Sequence, residues 1–96
     1  MAITFPNPNI AFSKHHIKFS GEVGKRRDPV ICSIDRVALA AYAGISGQPD
    51  DATLLVAFET HRQMINAIAA SQWNAGIDRP AITYQDLASF PADKVI

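Results

Sequence analysis

The chain has 96 residues, of which 48% are hydrophobic and 19% charged, with nine basic and nine acidic side chains. That composition excludes a disordered polyelectrolyte, and the zero net charge leaves no global field to draw the protein to nucleic acid or an anionic membrane. A chain this short is expected to form one domain over residues 1–96 with a single core, so any site should be a surface groove or lie between subunits.

Ile3 and Phe5 flank Thr4, a pattern that predicts a short edge strand halted by Pro6, and Asn7-Pro8-Asn9 reads as a turn. Over residues 14–23, Ile17, Phe19 and Val23 fall on one face with His15 in the same register. Lys14, His16, Lys18, Ser20 and Glu22 fall on the other. This period of two suits a strand whose sheet has one wet face. Gly24-Lys25-Arg26-Arg27-Asp28 is a polar connection, and Pro29 opens a β-branched run at 30–34 that completes a hairpin.

Ser33 is placed to cap a short helix over residues 34–43, with Asp35 in its first turn and Gly44 as its stop. Ile34, Ala38, Ala41 and Tyr42 share a face of that helix. After Ser46-Gly47-Gln48-Pro49, Asp50 or Asp51 caps a long helix over residues 52–75 that ends at Gly76. At 100° per residue Leu54, Phe58, Ile65 and Ile68 form one stripe, flanked by Ala57 and Ala69. Glu59, Gln63, Asn66 and Ala70 lie opposite, as in an amphipathic helix packed on a core. Asp78-Arg79-Pro80 breaks the chain, and residues 81–85 read as a last strand with Ile82 and Tyr84 on one face. Leu87, Phe90 and Pro91 belong to no assigned element.

The element order is therefore β-β-β-α-α-β. Strands gathered at one end with helices after them point to an α+β fold: a three- to four-stranded, mainly antiparallel sheet, with a short helix and one long amphipathic helix on one face.

In order and spacing, the segments ITFPN at Ile3, IKF at Ile17, VICSIDRVAL at Val30, LLVAFETHRQMINAIA at Leu54 and AITYQDL at Ala81 resemble the small bacterial proteins of domain-of-unknown-function family 1488 (DUF1488). The similarity runs over nearly the whole chain, and Phe58-Glu59-Thr60-His61-Arg62 is its most distinctive part. It implies a bacterial cytoplasmic protein with an α+β fold, and it brings no activity, cofactor or catalytic residue.

The charge is divided unevenly. Residues 1–36 hold six basic side chains against three acidic, and residues 37–96 hold three against six. The two halves are expected to attract each other within the fold, although such a dipolar chain could also associate with a second copy. Cys32 is the single cysteine, set among Val30, Ile31 and Ile34, and is expected to be an inert core residue. With no disulfide, no secretory leader and no apolar run long enough to span a bilayer, the expected location is the cytoplasm.

Chemistry-bearing residues are few. His15 and His16 are neighbours on a strand and point to opposite faces, and neither a CxxC pair nor a helical HxxxH pair is present, so no metal site is assigned. No catalytic residue and no cofactor is assigned. His61 falls within the apolar stripe and is expected to be a buried, hydrogen-bonded structural residue; Arg62 at the stripe's edge is expected to cover apolar surface and pair with Glu59. Lys25, Arg26 and Arg27 form a basic hairpin tip without the interleaved aromatics that stack bases.

These features fit a small cytoplasmic interaction or regulatory module, without catalysis, whose partner is a protein. Two other readings stay open. One is a weak nucleic-acid-associated protein acting through Lys25, Arg26 and Arg27; the other is a ligand-binding protein or enzyme using His61 and Arg62.

Overall fold

The computed structural model describes residues 3–6, 9–25, 28–47 and 49–94. The elements run β1 (Ile3–Thr4), β2 (Ala11–Phe12), β3 (His16–Val23), β4 (Val30–Asp35), α1 (Arg36–Ala43), α2 (Asp51–Thr60), α3 (Arg62–Asn74), β5 (Ala81–Ile82) and α4 (Tyr84–Lys94). This is an α+β fold with a mixed sheet.

The β3–β4 hairpin is the frame. Its six-pair register runs from His16 opposite Asp35 to Gly21 opposite Val30. Ile17 therefore sits beside Ile34, and Phe19 beside Cys32, on the buried face. Lys18 and Glu22 face solvent, as their alternation predicts. His15 precedes the strand and is exposed, so its register with Ile17 does not carry it into the core.

β1 and β2 both pair antiparallel with the free edge of β3, Thr4 opposite Glu22 and Ala11 opposite Lys18. They act as one interrupted edge strand. The edge takes seven residue steps from Thr4 to Ala11 against four on β3, from Glu22 to Lys18. Pro6 and Pro8 lie within it and cannot donate to a ladder. The Asn7-Pro8 part of the expected turn falls outside the described residues.

Gly21 makes this edge possible. A Cβ there would stand 2.6 Å from Ile3 Cδ1 and 2.9 Å from Phe5 Cε1. Its bare backbone lets Ile3 bury against β3, and Phe5 continues the layer to Phe19 with ring centroids 6.0 Å apart.

Three sequence expectations change. First, α1 begins at Arg36, not at residue 34, because Ser33 and Ile34 remain paired in the sheet. Asp35 is the N-cap, its Oδ1 accepting from the N–H groups of Val37 (2.8 Å) and Ala38 (3.2 Å). The buried face of α1 is Ala38, Leu39 and Ala40, and Ala41 is exposed.

Second, the long helix is interrupted at His61. Neither glycine nor proline lies there; the Thr60 hydroxyl donates to the Val56 carbonyl at 2.8 Å, a back-bond that bends helices. Leu54, Phe58, Ile65 and Ile68 still form one buried stripe across the bend.

Third, the last strand is only Ala81–Ile82, and it runs parallel to β4, with Ser33 opposite Ala81. Thr83 ends it by capping α4. Asp86 Oδ2 accepts from the Thr83 N–H at 2.9 Å, and the Asp86 N–H reaches Thr83 Oγ1 at 3.4 Å, a reciprocal capping box. Tyr84 is thus exposed on a helix, and the segment holding Leu87, Phe90 and Pro91 is α4, which buries Leu87 against α1 and α3.

The outer edge of β5 is closed by one side chain. The Gln72 amide accepts from Ala81 N–H at 2.8 Å, donates to Ala81 O at 3.2 Å, and also donates to Asp86 Oδ2 at 3.1 Å. One glutamine thus takes the place of a neighbouring strand. No helix among the described residues is long and apolar enough to cross a membrane.

Replacing Phe19 by Ala is expected to cost about 3–5 kcal/mol, while Lys18→Ala, one residue away on the wet face, should cost under about 0.5 kcal/mol. Gly21→Ala should cost about 1–3 kcal/mol through overpacking against Ile3 and Phe5. Urea midpoints rank the three; a Lys18 variant as unstable as the Phe19 variant would reverse the facing of β3.

Cys32 supplies a pH test. It is fully buried, and burial pushes its thiol up from 9.0 to about 11. Between those values the unfolded chain loses the proton first, so the thiol's contribution is complete below pH 9 and declines as pH rises toward 11. The stability difference between the native protein and Cys32→Ala is expected to shift by that decline across the interval. A difference that stays constant from pH 8 to 11 would mean that the thiol ionises as freely in the fold as in the unfolded chain.

Candidate functional site

A concavity lies between α1, the following loop and α2. Its construction starts at Gly44, which ends α1 at φ 76°. The Gly44 N–H bonds Ala41 O at 3.2 Å and the Ile45 N–H bonds Ala40 O at 2.9 Å, the paired bonds of a Schellman stop. That motif folds Ile45 back over α1. Asp50 then opens α2, accepting from Thr53 N–H at 2.9 Å. Hydrogen bonds from Thr53, side chain first and backbone second, hold the Asp50 carboxyl below its ordinary range.

Two grooves meet at Ile45. The larger, about 540 Å³, has a floor of Ala40, Ala41, Ile45 and Leu54 and a rim that includes Lys14, His15 and Val37. The smaller, about 420 Å³, runs between Ile45, Val56, Ala57 and His61. Val37 is 77% exposed and Val56 66%.

Arg36 fixes the walls of the larger groove. Its Nη1 donates to Ser13 O at 3.1 Å and pairs with Asp51 Oδ1 at 2.8 Å, and its guanidinium lies 5.7 Å from the Phe12 ring centroid. One side chain thus ties the β2–β3 turn to both helices. The pair also joins the basic and acidic halves of the chain, in keeping with their expected attraction, though an ion pair this exposed is worth roughly 0–1 kcal/mol. Asp50 and Asp51, expected as capping residues, are divided between the cap and this bridge.

The sequence candidates fall in different places. His61 is half-buried at the interruption between α2 and α3, not buried in the core, and its ring meets Tyr42 of α1 edge-on at 5.2 Å. The Tyr42 hydroxyl is 3.6 Å from Met64 Sδ. Arg62 lines neither groove. Its Nε donates to Glu59 Oε1 at 2.9 Å and its guanidinium lies 4.9 Å from the Phe58 ring centroid, so it covers apolar surface and pairs with Glu59 as expected. His61 and Arg62 are adjacent in sequence but do not converge on one cavity. Lys25 is exposed past the end of β3, at the opposite end of the strand from Lys14. Arg26 and Arg27 lie outside the described residues.

The sequence reading did not single out Val37, Ile45 or Val56. The signal was there for the two valines: both are β-branched residues on helices, off the phase of the buried stripe, where nothing in the fold requires an apolar side chain. Among the described residues, no group of three histidine, cysteine, aspartate or glutamate side chains is placed to hold a metal ion.

Comparison with known proteins agrees with the residue-level resemblance. No curated protein and no solved structure matches the chain. The family described as "Protein of unknown function (DUF1488)" matches residues 3–84, from β1 through the end of β5 and into α4, and therefore takes in both grooves. On that match the chain belongs to the DUF1488 family.

Proposed function

We propose that this protein is a small cytoplasmic interaction or regulatory module that works by holding a protein partner against its α1–α2 face, without catalysis of its own. The observation that carries this reading is the exposure of Val37 and Val56, one at each of the two grooves that meet at Ile45. Fully burying such a side chain is worth about 1.5–3 kcal/mol, and an apolar patch rimmed by polar groups is the usual mark of an interface. The groove walls are held by Arg36 and by the Gly44 stop, so a partner would meet a preformed surface. The nucleic-acid reading has less support, since the Lys25–Arg27 tip carries no interleaved aromatics to stack bases and the chain has no net charge. The ligand or enzyme reading also has less support, because Glu59 and Phe58 already engage Arg62.

Photo-crosslinking residues placed at positions 37, 56 and 77 in the native cell test this. Ile77 serves as the control because it is 45% exposed and lines neither groove. Adducts are expected at 37 and 56 and not at 77, with the captured chain, a second copy included, identified by mass spectrometry. Val37→Asp and Val56→Asp should alter stability by no more than about 0.5 kcal/mol and abolish the adduct at the other position. Adducts at all three positions that survive both substitutions would refute a specific face.

A further inference from the structure

We propose that the outer edge of β4 at Ile31, left open by Pro80, is a strand-addition site that takes a short extended segment of a partner protein. It is a second surface, separate from the α1–α2 face.

The register fixes where the backbone groups of β4 point. The Ser33 N–H bonds Pro80 O at 2.9 Å, toward β5, and the Arg36 N–H bonds His15 O at 3.0 Å, toward β3. Hydrogen-bonding direction alternates along a strand, so Val30, Cys32 and Ile34 bond β3, while Ile31 faces outward with Ser33. β5 begins at Ala81, opposite Ser33, and does not reach Ile31. Pro80 is the cause. One more step of the parallel ladder would need the residue 80 N–H to donate to Ile31 O, and proline has none. Among the described residues neither the Ile31 N–H nor its carbonyl has a hydrogen-bond partner in the chain.

The neighbouring part of this margin is treated differently. Gln72 takes both the N–H and the carbonyl of Ala81, and Asp86 takes the Thr83 N–H. Side chains therefore close the edge at β5 and leave it open at Ile31. The Ile31 side chain is 42% exposed on the face of the sheet away from the core, across from Ser20. Free main-chain groups beside an exposed β-branched residue are what strand addition uses: the backbone supplies the attachment and alternate side chains the choice.

The same edge of a second copy does not fit. Twofold antiparallel pairing about Ile31 would set residue 29 of one copy against Ser33 of the other, a place β5 already holds. The occupant is an extended segment of another protein that lies along residues 29–31, roughly 10 Å of strand, and ends or turns away at Pro80. It sets an apolar side chain beside Ile31.

Hydrogen exchange on the full chain reads the edge first. The Ile31 amide should exchange about 100-fold or more faster than the amides of Val30 and Cys32, which bond β3. A displayed library of random peptides about seven residues long should then enrich sequences with alternating apolar, β-branched residues. A synthetic peptide from that pool should slow Ile31 exchange about tenfold or more. Ile31→Pro removes one N–H that lies outside the β3 ladder and should weaken binding about tenfold or more, whereas Val37→Asp should leave it unchanged. Backbone N-methylation of the peptide, in one of its two alternating sets of residues, leaves the protein untouched and should cause the same loss. An Ile31 amide as protected as that of Cys32, no enrichment, or a peptide that binds as well when either set is methylated would overturn the site. Dependence on Val37 without dependence on Ile31 would overturn it too and would place the peptide on the α1–α2 face instead.

Discussion

Phe58 is the residue through which the two layers of this protein are joined. It has no exposed surface, and Phe19 of β3 meets it edge-on with centroids 5.4 Å apart. On another side the Arg62 guanidinium covers its ring. The chain Phe5–Phe19–Phe58 runs from the edge of the sheet into the helical layer. Aromatic pairs in this geometry add about 0.5–1.5 kcal/mol beyond the area they bury, so one row of rings holds the edge, the hairpin and α2 in register. Gly21 belongs to the same constraint, because only an absent side chain lets Ile3 and Phe5 close over β3.

The margins of the sheet are settled by hydrogen bonds. An exposed strand edge leaves backbone groups unpaired and open to other chains. On one margin, prolines and a detour interrupt the edge; on the other, Gln72 occupies both backbone groups of Ala81 and reaches Asp86, which also caps α4. The amide of one residue therefore fixes where β5 ends, where α4 begins and how α3 lies against both. Among the described residues the buried Asn66 Oδ1 has no hydrogen-bond partner, on a helix face the sequence pattern assigns to solvent.

His61, at the interruption between α2 and α3, lines the smaller groove and meets Tyr42, while the Schellman stop at Gly44 places Ile45 where the two grooves meet. The surface proposed for a partner is thus a consequence of two helix terminations, not of a dedicated motif.

Local pattern alone determined the parts of this protein whose cause is local. The alternation of Ile17, Lys18 and Phe19 fixes which way β3 faces, because a one-residue slip would send every side chain to the wrong side. The spacing of Leu54, Phe58, Ile65 and Ile68 fixes the buried stripe, and Gly44, Asp50 and Gly76 mark helix ends through chemistry that acts within four residues. Thr83 and Asp86 carried a capping signal as well, legible in the sequence though it points to α4 and not to a longer strand. Only the tertiary structure decided that Ser33 and Ile34 stay in the sheet. Their pairing with Lys18 and Ile17 outweighs a helix start that is worth about 1 kcal/mol. It alone decided that β5 lies parallel to β4, since that depends on the path of α1, α2 and α3 between them. And it alone assembled the groove, because Lys14, Val37, Ile45 and Val56 are brought together by Arg36, Phe12, Ser13 and Asp51, contacts between residues far apart in the chain that no local pattern encodes.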